Sequence, residues 1–131
     1  PGIAFALVKQ LLASLQVPFD GAALQQACTQ VGHGPVALKP ADWLRQVLVQ
    51  AGLKNLAPVQ LAWRRLDLRR LPALVRTDGS WFLAVREAPD AVTLISAAGE
   101  RREVHEAELQ DALVVWLRAP TNRALNSMRA W

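Results

Sequence analysis

Thiol-based acyl transfer needs a nucleophile, a proton acceptor and a group that orients the acceptor. This chain of 131 residues offers few candidates for those roles: one cysteine, Cys28, and two histidines, His33 and His105. Cys28 falls near the end of the second helix that the spacing predicts. That is the negative end of the helix dipole, which disfavours a thiolate. A small buried core residue is the better reading of it. His105 lies in the charged stretch Glu103-Val104-His105-Glu106 and reads as solvated. His33 stands between two glycines, and no Cys/His/Asp cluster around it has metal-ligand spacing. Asp42, Asp67 and Asp78 read as a helix-start charge, a solvated crossover residue and a turn former. These residues predict neither catalysis nor a bound metal.

Aromatic and basic residues are the other source of chemistry. The chain has five Trp, no Tyr and a net charge of +4. Trp43, Trp63 and Trp116 fit core positions on their elements. Trp81 opens the second strand of a hairpin and is either a contact residue or a packed one. Phe82 points to the opposite strand face and reads as core. The basic excess comes from Arg64-Arg65, Arg69-Arg70 and Arg101-Arg102, spread among Leu and Glu. No Lys/Arg run of five and no nucleic-acid motif is present, so nucleic acid is not the expected partner. An acidic protein, or nearness to an anionic membrane leaflet, suits this balance equally.

The elements that position these residues are legible from spacing. Leu71–Val85 holds two apolar runs around Asp78-Gly79, a strong signal for a type I′ hairpin. Upstream, Ala4, Leu7, Val8, Leu11, Leu12 and Leu15 make the stripe of a first helix, which Pro18 should end. Asp20 caps a second helix, with Phe19 and Leu24 as a hydrophobic staple. That helix runs to about Val31, where Gly32-His33-Gly34-Pro35 breaks it. Pro40 begins a third, with Leu44, Val47, Leu48 and Ala51 as its stripe and Gly52 as its left-handed stop. Strands follow at about 53–60, 73–76, 81–87 and 92–96, with a brief pairing at 101–104. A crossover with a helical turn covers 61–71, and a short helix covers 106–112. Leu113–Arg118 is a closing strand apolar enough to require burial. The pattern predicts an α+β domain with N-terminal helices packed on an antiparallel sheet. An apolar content of 52% argues against disorder, and no run reaches membrane-span length. The single cysteine fits a reducing compartment. No signal peptide is expected, because the start lacks a basic region and a cleavage site.

The order of these parts resembles a known family. The Leu-rich first helix leads through Val17-Pro18-Phe19-Asp20 to the second. The third ends in Ala51-Gly52-Leu53-Lys54. Then come Leu71-Pro72-Ala73-Leu74-Val75, Asp78-Gly79-x-Trp81-Phe82, Glu103-Val104 with a small helix, and an apolar last strand. This resembles the N-terminal peptidase-like domain of bacterial type I secretion ABC transporters, closest in kind to the haemolysin and large-adhesin exporters. Those domains are similar to the cysteine peptidases that process bacteriocins after a double-glycine leader, and their fold is papain-like. The resemblance assigns residues 1–119 to the peptidase-like domain. Residues 120–131 become a tail, ending near Trp131 ahead of a first membrane helix.

In active relatives the Cys stands at the start of the first helix, equivalent to Pro1–Ala4 here, with Gly2 and Ile3 the nearest positions. The His precedes the equivalent of Phe82, where this chain has Trp81. The Asp follows the next strand, where this chain has Ser96. Indole has no basic nitrogen and cannot take a thiol proton. The resemblance therefore implies a non-catalytic domain at the cytoplasmic face of the bacterial inner membrane. It would dock an unfolded calcium-binding repeat toxin or adhesin before export and contact the transporter's other domains. The domain itself would hold no cofactor, ATP and Mg belonging to the rest of the transporter. Trp81 is the expected anchor, removable without unfolding the domain, and Arg64, Arg65, Arg69 and Arg70 are the expected basic rim. A leader-cleaving peptidase and an unrelated basic interaction or nucleic-acid module are the alternatives.

Overall fold

Asp78 and Gly79 both adopt positive φ, 54° and 76°. A type I′ turn requires that conformation, and Asp and Gly reach it at least cost. A computed structural model of the chain describes residues 2–32, 38–67 and 70–118. Around this turn, β2 (Ala73–Thr77) and β3 (Ser80–Ala88) pair with Thr77 opposite Ser80 and Arg76 opposite Trp81. The chain continues antiparallel through β4 (Ala91–Ile95) and β5 (Arg101–Val104). The last strand, β6 (Leu113–Arg118), returns to insert between β2 and β1 (Ala57–Ala62). The six-stranded order is therefore β1-β6-β2-β3-β4-β5, antiparallel throughout. The interior place of β6 explains its composition: Val114, Val115, Trp116 and Leu117 are all buried.

Three helices precede the sheet: α1 (Phe5–Ser14), α2 (Gly21–Gly32) and α3 (Pro40–Gln50). They pack on one face of it. Leu7, Val8, Leu11 and Leu12 of α1, Leu24 of α2 and Leu44, Val47 and Leu48 of α3 share a core with Leu74, Trp81, Leu83, Val115 and Leu117. The other face is covered by the connections. Trp63, Leu66, Leu109 and Ala112 pack there on Val75, Ala84, Leu94, Val114 and Trp116. Period-two alternation along β3 and β6 supplies both cores from the same strands. The expected α+β architecture of helices on an antiparallel sheet is present.

Local chemistry sets the helix ends. Asp20 Oδ1 accepts the backbone N–H groups of Ala22 and Ala23 at 2.9 and 3.3 Å, the predicted cap. Gly52 ends α3 at φ 83°, with its N–H donating to the Val49 carbonyl and that of Leu53 to the Leu48 carbonyl. The same motif ends α1 earlier than the Pro18 argument implies. Gln16 takes φ 58° and donates to the Ala13 carbonyl, while Val17 donates to that of Leu12. The chain has thus left the helix before the proline acts. β1 also begins later than predicted, at Ala57, because the turn that closes α3 occupies Leu53–Leu56. The crossover carries a 3-10 turn, Trp63–Arg65. At the start of α3 the Ala41 N–H donates to Gln60 Oε1 at 3.1 Å, which ties the helix to β1. Among the described residues no helix is long and apolar enough to cross a membrane.

Candidate functional site

The first residues of the described chain run beneath the N-terminus of α3 and meet the hairpin. Gly2, Ile3, Leu38, Pro40, Trp43, Arg76 and Trp81 line a pocket of about 220 Å³. Gly2, Ile3, Leu38 and Trp43 also line a broader groove of about 690 Å³ that continues along α2, past Gln25, Cys28, Thr29 and Val31. The two form one depression between the helix ends and the sheet.

Trp81 reaches the pocket because it is the first helix-facing residue of β3. Its indole is only 7% exposed, so most of it belongs to the helix-side core and one edge borders the pocket. This burial adds a stability cost to the expected effect of Trp81→Ala on binding. Arg76 stands directly across the hairpin, with its guanidinium carbon 5.8 Å from the Trp81 ring centroid. The Arg76 side chain also borders a shallow depression with Asp78, Glu108 and Asp111. Each of those carboxylates is engaged elsewhere: Asp78 with Arg102 at 3.8 Å, Asp111 with Arg64 at 3.7 Å, and Glu108 with the His105 backbone N–H at 2.8 Å. Among the described residues Arg76 has no carboxylate partner, and no Asp or Glu lines either part of the groove. Asp42, in the first turn of α3, is exposed and off the lining.

The structure thus brings together Gly2, Ile3 and Trp81, which sequence reasoning singled out, and adds Trp43 and Arg76, which it did not. Trp43 is half-buried at the groove instead of sealed in the core. Arg76 was recoverable, because a two-residue turn at 78–79 fixes 76 opposite 81. Ser96 lies one residue past β4 and does not line the pocket; its Oγ accepts the Glu100 N–H at 3.1 Å. Of the expected basic rim, Arg64, Arg65 and Arg70 do not line the pocket. Arg70 stacks over Trp116 at 4.9 Å, on the sheet face away from Trp81, and Arg64 pairs with Asp111. Arg65 is exposed on the same 3-10 turn as Arg64, and Arg69 lies outside the described residues, as do His33, residue 119 and the predicted tail, 120–131.

Cys28 is half-buried on the groove wall instead of enclosed, and burial pushes its thiol above the ordinary value of 9.0. A thiol in that state is a poor nucleophile at neutral pH. His105 is exposed, at the head of the 3-10 turn Glu106–Leu109. Phe82 turns to the far face, partly buried beneath the Arg102 guanidinium at 5.5 Å. Among the described residues no group of three His, Cys, Asp or Glu could hold a metal ion. Chemically the groove can bind: it offers apolar walls, two indoles and one exposed guanidinium. No family model, curated protein or solved structure matches this chain.

Proposed function

We propose that this chain is a non-catalytic, papain-like docking domain of a type I secretion transporter, which holds an unfolded exported protein in the groove along α1–α3. The observation that carries this reading is the single pocket shared by Gly2, Ile3 and Trp81. The family resemblance assigns the nucleophile to the first two positions and the base to the third. Residues separated by nearly eighty positions meet there, which supports a cleft, although Ser96 stands outside it; none of the three can transfer a proton or attack a carbonyl. The wall chemistry supports holding without cutting. Indole edges and a guanidinium give apolar and charge-assisted contacts to an extended chain and require no folded epitope.

The test titrates the domain by calorimetry with a calcium-binding repeat polypeptide. One sample is unfolded in chelator and the other prefolded with calcium. Binding of the unfolded form alone is expected; equal affinity for both would overturn a role before export. A double-glycine leader peptide incubated with the domain should remain intact. Its cleavage would overturn the non-catalytic assignment.

A further inference from the structure

The Trp81–Arg76 pocket is small for a peptide but the right size for one side chain, and its charge is one-sided. Its walls are Ile3, Leu38, Pro40 and two indoles, its volume is about 220 Å³, and Arg76 stands at its rim. The Arg76 guanidinium lies on the Trp81 face and is held there by a directly opposed cross-strand position. Nearby acids are turned to other partners, Asp78 to Arg102, Asp111 to Arg64 and Glu108 to the His105 backbone. Arg76 is exposed, and it stands beside an apolar recess that no carboxylate lines among the described residues.

We infer that this pocket is a sequence-selective subsite that takes one apolar side chain and the carboxylate of an Asp or Glu two residues along. The apolar group fills the recess between Trp43 and Trp81, and the carboxylate reaches Arg76. Alternate side chains of an extended peptide share a face, so one enters the recess while the second residue along lies on the rim. The groove past Cys28 and Thr29 would accommodate the peptide backbone on one side of this subsite. Lys39, exposed between the lining residues Leu38 and Pro40, adds positive charge on the same side and favours acidic over basic flanks. This subsite rests on the docking function proposed above and adds a recognition rule to it: apolar–acidic pairs are selected over apolar–neutral ones.

The experiment uses three Gly/Ser dodecapeptides with a central Leu-Gly-Asp, Leu-Gly-Asn or Ser-Gly-Asp segment, denoted Leu-Asp, Leu-Asn and Ser-Asp. Each is titrated into the ¹⁵N-labelled domain, wild type and Arg76→Gln. With wild type, Leu-Asp should shift the indole N–H signals of Trp43 and Trp81 and bind about tenfold more tightly than Leu-Asn, the span of one charge-assisted contact. Ser-Asp should lose a comparable factor through the empty recess. In Arg76→Gln the Leu-Asp and Leu-Asn affinities should converge. Arg76 is exposed, and a urea titration of the variant confirms that the fold is kept. Equal wild-type affinity for Leu-Asp and Leu-Asn, or a preference that survives Arg76→Gln, overturns the subsite and leaves the docking function standing. Shifts confined to the Trp116 face, or no shifts with any peptide at millimolar concentration, overturn both.

Discussion

Trp81→Ala measures how far the pocket is built from core material. An indole buries on the order of 200 Å². Trimming it to a methyl returns on the order of 150 Å² of that to water, about 4 kcal/mol at ~25 cal/mol per Å². The Arg76 contact at 5.8 Å contributes little beyond this, because the guanidinium is exposed. In a sealed core the void left behind would add to the cost. Here the indole borders a pocket of about 220 Å³, so water can fill part of the space. The cost should therefore fall near 3–4 kcal/mol, below the top of the range for large-to-small changes. With a urea m-value on the order of 1.5 kcal/mol/M, the midpoint falls by about 2–3 M. Against a total stability on the order of 10 kcal/mol, the variant is folded but weakened. Trp81→Phe keeps a ring in the core and should cost about 1 kcal/mol, which makes it the variant for binding measurements. A loss under about 1.5 kcal/mol for Trp81→Ala, at unchanged m, would refute the placement of this indole in the helix-side core.

Two further outcomes follow from local geometry. Gln16→Gly should stabilise the domain by about 0.5–1 kcal/mol, because Gln16 is exposed at φ 58° where a glycine carries no steric penalty. The melting temperature should rise by about 2–4 °C, and an unchanged or lower value would show that the left-handed end of α1 is not strained. Alkylation of Cys28 by iodoacetamide should accelerate about tenfold per pH unit from 7 to 9 without levelling off. Burial raises its thiol, and the thiolate fraction keeps growing across that window. A plateau below pH 9 would mean a thiolate stabilised by its surroundings, the opposite sign.

The elements were legible wherever one residue type has one physical use. Asp20 caps α2, Gly52 stops α3 and Asp78-Gly79 turns the hairpin, each as its chemistry requires. The signal failed where a general residue takes a special role. Gln16 ends α1 in a conformation that favours glycine, and nothing in its side chain announces that. Gln60 secures the start of α3 through a contact nineteen positions away, which no local pattern encodes. The insertion of β6 between β1 and β2 was visible only as a demand for burial, since its neighbours are set by long-range pairing.

The arginines show the sharper distinction between composition and placement. Arg64-Arg65 and Arg69-Arg70 stand out as a basic cluster in sequence, yet Arg70 stacks on Trp116 across the sheet from the pocket and Arg64 is paired with Asp111. Arg76 is a single residue in an apolar strand and attracts no notice by composition. It is the cation at the pocket because strand parity and turn length leave it no other place: a two-residue turn puts 76 opposite 81, and opposed residues share a face. The same register argument makes the pairing hard to lose. Lengthening the turn by one residue would shift Arg76 out of line with Trp81. Recognition at this pocket is therefore tied to the Asp78-Gly79 turn as closely as to the two side chains themselves.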